Sequence, residues 1–385
     1  MSEAHAFVGP KYSDRTCSAE DAGKRLHQEY QDEKLVTVYG VTDRNLDKNG
    51  NPILDKNGNY VPAENGHVQY YVARVPVRGS GQHFEKEGAP IEMHMISQEE
   101  FDKDVEKQST AGGTAPKLGI YTHGALQNVD DVAQKAAEIS ADSNETIVIE
   151  DWDTGRERQT SKDTQMPGTW EAIKTFKANY SQETTDKSDR MITESVNHLS
   201  ERFGSENIDL IAHSHGSTYM LDYLSGEKRY TYRSVTFSHP DFPGDRFVDE
   251  LPNVLPKAHN FNIAYDPQDH MLKLLEVCNI TNSVFNPFKW SLDIPAGLGD
   301  SDFQNNLHRK YHSYQPTFKR GYSPVPSSEP YFQTYQDTER DGSSRDQNRH
   351  DIHSDRTAEF LRQVNQNQPQ TETAQDKRKD VYRLA

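Results

Sequence analysis

Ile208-Asp209-Leu210-Ile211-Ala212-His213-Ser214-His215-Gly216-Ser217 is an apolar run that ends in small-x-Ser-x-Gly and leads into residues with helical spacing, Thr218 to Leu224. A serine hydroxyl attacks an acyl carbon only when a base takes its proton, and a tight strand-to-helix turn, the nucleophile elbow, exposes it for that purpose. Strand and helix approach closely there, so the positions two before and two after the serine must be small. Ala212 and Gly216 satisfy this, with alanine standing where glycine is usual. The amide of His215, at the start of the helix, then points with the helix dipole towards a developing oxyanion. Acyl transfer by Ser214 is the chemistry these residues support. His213 and His215 also make a His-x-His pair at a strand end, which gives a metal-dependent hydrolase as an alternative. Against it, the chain continues Gly216-Ser217-Thr218 and contains no His-Glu-x-x-His segment, so neither a metal nor another cofactor is expected.

The serine needs partners. The turn after the apolar run Leu118 to Thr122 reads His123-Gly124-Ala125-Leu126, which nominates the Ala125 amide as the second oxyanion donor beside that of His215. An acid is expected after a later strand, and Asn260 to Tyr265 leads into Asp266-Pro267-Gln268-Asp269-His270-Met271-Leu272. Asp269 is preferred. Asp266 is the alternative, although an aspartate before proline is expected for its turn-forming role, and Asp241 in Ser238-His239-Pro240-Asp241 is a weaker candidate. The order Ser, Asp, His leaves His308, His312, His350 and His353 as bases. His353 lies between the last expected strand, Pro330 to Tyr335, and a short helix, Arg356 to Val364, where Ser354 or Asp355 can cap that helix. His312 remains as the alternative base.

These motifs must be carried on a frame. From Ile91 onward, apolar runs at 91–96, 118–122, 146–150, 208–212, 234–238 and 260–265 alternate with helical segments, the clearest at 129–140, 188–203 and 217–224. That pattern predicts an α/β fold with a mostly parallel sheet flanked by helices. Leu35 to Val41 and Val68 to Val77 read as a pair of strands, separated by a tandem repeat, Leu46-Asp47-Lys48-Asn49-Gly50-Asn51 and Leu54-Asp55-Lys56-Asn57-Gly58-Asn59. Asn-Gly is a strong turn signal. The Asp-x-Asn-x-Asn spacing touches on a calcium loop, but glycine is misplaced and the twelfth position carries no glutamate, so a surface hairpin is the better reading. Residues 1–34 read as a flexible arm, 35–365 as the hydrolase-like domain with an irregular, lid-like insertion at about 278–328, and 366–385 as a disordered polar tail.

Sixty acidic against 43 basic residues give a formal charge of −17, which argues against a nucleic-acid partner. Two distant cysteines, Cys17 and Cys278, imply no disulfide framework. The amino terminus lacks a signal-peptide pattern and no segment is apolar enough to span a bilayer. Cytoplasmic residence is the default expectation, with signal-independent secretion or delivery left open and protein partners unassigned.

Taken together these residues resemble the α/β-hydrolase superfamily, and more narrowly a bacterial family of serine-hydrolase-like proteins of unknown function. The resemblance covers about residues 35 to 280. A Thr-x-Arg-like segment is matched by Thr42-Asp43-Arg44, a Pro- and Gly-containing turn by Pro76-Val77-Arg78-Gly79, and a His-Gly turn by His123-Gly124. A Trp-Pro-Ser-Gly-like stretch is echoed in Asp151-Trp152-Asp153-Thr154-Gly155, without its proline and serine. The elbow, usually His-Ser-Met-Gly, is His213-Ser214-His215-Gly216. A Pro-Asp pair resembles Pro240-Asp241, and an Asn-Asp-x-Ala-Leu segment resembles Gln268 to Leu272, which supports Asp269. The family often places its histidine in Gly-His-Ser-Tyr, which favours His312, in Tyr311-His312-Ser313-Tyr314, over His353. The resemblance implies a hydrolase fold and cleavage of small-molecule esters or lipids. A hydrolase-like binding or effector module without activity is the alternative from another class.

Overall fold

The computed structural model describes residues 33–56, 60–64, 66–80, 83–86, 91–111, 116–125, 127–154, 182–242, 244–265, 331–336 and 379–383. Their strands are β1 (Glu33–Thr42), β2 (Gln69–Ser80), β3 (His83–Lys86), β4 (Glu92–Ile96), β5 (Leu118–Thr122), β6 (Thr146–Asp151), β7 (Ile208–His213), β8 (Tyr232–Ser238), β9 (Ala258–Tyr265), β10 (Tyr331–Gln336) and β11 (Lys379–Arg383). They form one sheet in the order β11-β10-β9-β8-β7-β5-β6-β1-β2-β3, with β4 also paired to β2. From β1 across to β10 all neighbours run parallel.

A parallel sheet covered on both faces needs strands that are apolar throughout rather than alternating. β5, β6 and β7 are each buried along their whole length, with charged side chains only towards their ends. The helices are α1 (Gln98–Ser109), α2 (Val129–Ser143), α3 (Gln182–Phe203), α4 (Gly216–Gly226) and α5 (Gly244–Val254). Among the described residues, α1, α3, α4 and α5 contribute side chains to one apolar cluster and α2 to the other. From β5 the chain crosses to β6 on one side and returns to β7 on the other. The helices that follow β5 and β7 therefore leave towards opposite faces, and the carboxyl ends of these two strands mark the sheet's switch point. Open parallel sheets bind ligands at such a switch point.

The expected pairing of the first two strands is present, with Val38 opposite Ala73 in an antiparallel ladder. In the repeat between them, Leu46 bridges to Pro52 around a first tight turn, and Leu54 bridges to Tyr60. Asp47 Oδ1 organises the first by accepting from the amides of Asn49 and Asn51, at 2.8 and 2.9 Å. The first unit, residues 46–52, is thus a hairpin.

Two differences from the sequence reading have local causes. α1 was not among the clearest expected helices, yet Ser97 and Glu100 form a reciprocal capping box at its start, a signal present in the Ser-x-x-Glu spacing. Within the stretch expected as a disordered tail, Lys379–Arg383 forms a strand antiparallel to β10. The reason is that an edge strand offers unpaired backbone groups, and Val381 and Tyr382 favour extended backbone. The amino-terminal arm before residue 33, the expected helix 356–364 and the lid-like insertion lie outside the described residues.

Candidate active site

Ser214 follows the last residue of β7, and α4 starts two residues later. Its φ is +50°, a left-handed conformation that a residue with a Cβ adopts only when its surroundings hold it there. The holding contacts are backbone ones. The Ser214 amide donates to Ser238 O at 3.0 Å, and its carbonyl accepts from Ser217 at 2.9 Å and Asp241 at 3.2 Å. The elbow is thereby fastened both to its own helix and to the loop after β8.

The demand for small neighbours is met on geometry. A Cβ at Gly216 would stand 2.4 Å from His123 O and 2.5 Å from Thr122 O, main-chain atoms of the neighbouring strand end. Any side chain there would force α4 away from β5. A Cβ at Gly124 would stand 2.8 Å from the Ser214 Cβ. The His-Gly turn and the elbow, 90 residues apart in sequence, are therefore in contact, and Ala125 and His215 follow directly from the two touching positions.

His215 is buried, with its ring edge-on to Trp152 at 5.6 Å and to Tyr219 at 5.0 Å between centroids. Burial pushes its pKa down to about 3, so the ring is neutral at pH 7 and is a weak base there. Its Nδ1 lies 3.5 Å from Asp241 Oδ2. His213 instead packs its ring against that of His239, 6.4 Å away on the loop after β8. The two histidines of the His-x-His pair thus pack against different rings. His239 also has a positive φ, +47°, and nothing in the sequence reading singled it out.

Beside the turn lies a buried polar cluster that the sequence reading did not assemble. The Arg44 Nε donates to Asp151 Oδ1 at 2.9 Å, and its Nη2 donates to the Gln127 carbonyl at 3.0 Å. Burial alone would raise the Asp151 carboxyl, but the Arg44 guanidinium and the His123 ring outweigh it and hold the pKa below the ordinary value. The His123 pKa is pushed down by burial, against the pull of Asp151. On the far side, Asp43 Oδ1 accepts from the Asp153 amide at 2.6 Å and Tyr60 donates to Asp153 Oδ2 at 2.9 Å. Burial lifts Asp43 to about 6. A sequence signal existed for two members, the Thr-x-Arg segment and the Asp-Trp-Asp echo, but none for their meeting.

Of the expected site residues, Ser214, His215 and Ala125 are brought together by the contact between the elbow and the Gly124 turn. Asp269, Asp266, His353 and His312 lie outside the described residues. Asp241, the weaker candidate acid, serves the elbow through its backbone, and its carbonyl accepts from Thr218 Oγ1 at 2.9 Å.

Residues 95–283 match the model of a family described as an alpha/beta hydrolase of unknown function (DUF900). No curated protein matches the chain. Among solved structures, it is similar to a PEG-bound novel cold-adapted esterase from an Arctic intertidal metagenomic library, at 11% identity and a TM-score of 0.28, over 52% of this chain and 68% of that one. It is also similar to a dienelactone hydrolase-like promiscuous phosphotriesterase from metagenomic libraries, at 10% identity and a TM-score of 0.29, over 64% of this chain and 90% of that one. These two likenesses are too distant to carry an argument about substrate. With its mostly parallel sheet and its strand-elbow-helix, the chain has the α/β-hydrolase fold, in agreement with the family match over residues 95–283.

Proposed function

We propose that the protein is a serine hydrolase that cleaves carboxylic esters, lipids among them, through an acyl-enzyme on Ser214. The observation that carries this reading is the left-handed Ser214 packed against the Gly124 turn, which puts a hydroxyl and two prospective amide donors at one strand edge. The Ser214 Oγ attacks the ester carbonyl carbon and passes its proton to a histidine, His353 or His312. Asp269, or Asp266 in its place, orients that histidine. The carbonyl oxygen, now negative, is held by the amides of His215 and Ala125. Collapse of the tetrahedral species expels the alcohol, which takes the proton from the histidine. Water, deprotonated by the same histidine, then attacks the acyl-enzyme and releases the carboxylic acid.

A fluorophosphonate probe tests this directly, because it labels only an activated serine. Labelling of the full-length protein that disappears in Ser214→Ala is the expected result. Folded protein that takes no label would instead favour a hydrolase-like binding module, and hydrolysis that survives Ser214→Ala but stops with a chelator would favour the metal-dependent alternative.

A further inference from the structure

We propose that Arg44, at the end of β1, is a positioning residue that fixes the oxyanion turn, an inference resting on the serine-hydrolase reading above. An oxyanion hole works because its donors are already aimed before charge develops. The amide assigned to that role, Ala125 N–H, belongs to the peptide unit whose other end is Gly124 C=O. That carbonyl is 2.7 Å from His123 Nδ1. Since a carbonyl oxygen can only accept, Nδ1 carries the proton, and the imidazole pins the peptide plane that presents the Ala125 amide.

The preceding peptide unit is pinned at both ends as well. The His123 carbonyl accepts from Trp152 Nε1 at 2.8 Å, and the Gly124 amide donates to Gln127 Oε1 at 3.1 Å. The Trp152 ring also stacks on that of His123, with centroids 5.2 Å apart and planes within 5°. The turn's geometry therefore depends on where Asp151, Trp152 and Gln127 sit.

Arg44 joins these elements. Its guanidinium reaches across to Asp151 Oδ1 and to the main-chain oxygen of Gln127, which Thr154 Oγ1 also approaches at 2.7 Å. One planar fork thus braces the turn from its far end, through Gln127, and from beneath, through Asp151, whose chain neighbour Trp152 holds the His123 carbonyl. A lysine would deliver its charge to one of these partners but not the fork to both.

The test is the rate at which a fluorophosphonate probe phosphonylates Ser214, measured to saturation so that the maximal rate (kinact) and the half-saturating concentration (KI) separate. The variants are Arg44→Lys, Thr154→Val, and the double change Arg44→Met with Asp151→Asn, which removes the Asp151 charge together with its cation and leaves Asp153 the Lys187 ammonium at 3.9 Å. Arg233→Met, far from the turn, is the control for stability alone. A braced turn predicts that kinact falls about tenfold to a hundredfold in the double variant, by less in Arg44→Lys, and about twofold to threefold in Thr154→Val, with KI unchanged. A folded double variant with wild-type kinact, or one whose loss lies in KI, overturns the proposal. Failure of the wild-type protein to label is a different outcome, and it removes the serine-hydrolase reading together with this inference.

Discussion

Two arginine-carboxylate clusters stand at opposite ends of β6, and they are built for different purposes. At the amino-terminal edge of the sheet, Arg233 on β8 meets Asp209 on β7, with Nε 3.1 Å from both carboxylate oxygens, and Glu145 just before β6 at 2.9 Å. Ser234 donates to the same aspartate. At the carboxyl edge, a strand length of about 20 Å away, Arg44 divides its donors between Asp151 and the main-chain oxygen of a turn. The first cluster joins side chain to side chain and ties the amino-terminal ends of β8, β7 and β6 together across the intervening β5. The second reaches into a loop and enforces a backbone direction. Buried ion pairs contribute little net stability but are costly to break, so what each cluster holds matters more than how strongly it holds it.

Substitutions at and between the two edges should separate these roles. The largest effect belongs to neither cluster: Ser214→Ala should cost more than about a thousandfold in kcat while leaving the urea midpoint close to wild type, as read by ester turnover and denaturation in parallel. Arg233→Met strands two buried carboxylates and should destabilise by about 3–5 kcal/mol, yet the folded fraction should retain wild-type kcat. A kcat loss there would erase the distinction between the edges. Gly216→Ala pushes a methyl against His123 O and Thr122 O and should cost about 1–3 kcal/mol together with a loss of kcat, because it moves the elbow relative to the turn. Unchanged turnover would show that the two motifs tolerate separation.

An effect that appears only as the pH rises lies on β6 itself. Glu150 is fully buried, its Oε1 accepting from Ser195 Oγ at 2.9 Å, and burial lifts its pKa to about 8 against an ordinary 4.5. Between those values the folded chain holds a proton that the unfolded chain releases. The contribution to stability is therefore full below pH 4.5 and falls by about 1.4 kcal/mol per pH unit as the pH rises towards 8. Glu150→Gln should remove this slope, so that the variant gains on the wild type between pH 5 and pH 8 in urea midpoints.

The frame was legible because its signals are local. Residues 208–212 and 118–122 announce buried parallel strands by their apolar runs, Gly216 announces a close approach, and each motif needs only a few neighbours in sequence to be recognised. The Arg44 cluster was not, because Arg44 and Asp151 are 107 residues apart and no short pattern records that two such residues will meet. His239 illustrates a second kind of silence. Its left-handed backbone follows from the bonds around it, including its amide to Ala264 O at 2.8 Å, and no glycine or asparagine marks the position. The acid and base were reachable only as sets, Asp269 or Asp266 and His353 or His312, because several residues of the right type follow one another in chain order.

The long loops closed by Arg44 also bear on the order in which the molecule becomes competent. Its bonds to Gln127 and Asp151 span 83 and 107 residues, so as the chain emerges from the ribosome β1 waits, without its parallel neighbour, until β6 has been made. Contacts of such separation form late, since a large loop must close before they reward it. The elbow around Ser214 and the turn before it are thus neighbours whose alignment depends on a strand synthesised long before either, and a chain shortened to begin after β1 should still fold parts of the sheet while lacking the brace that directs its chemistry.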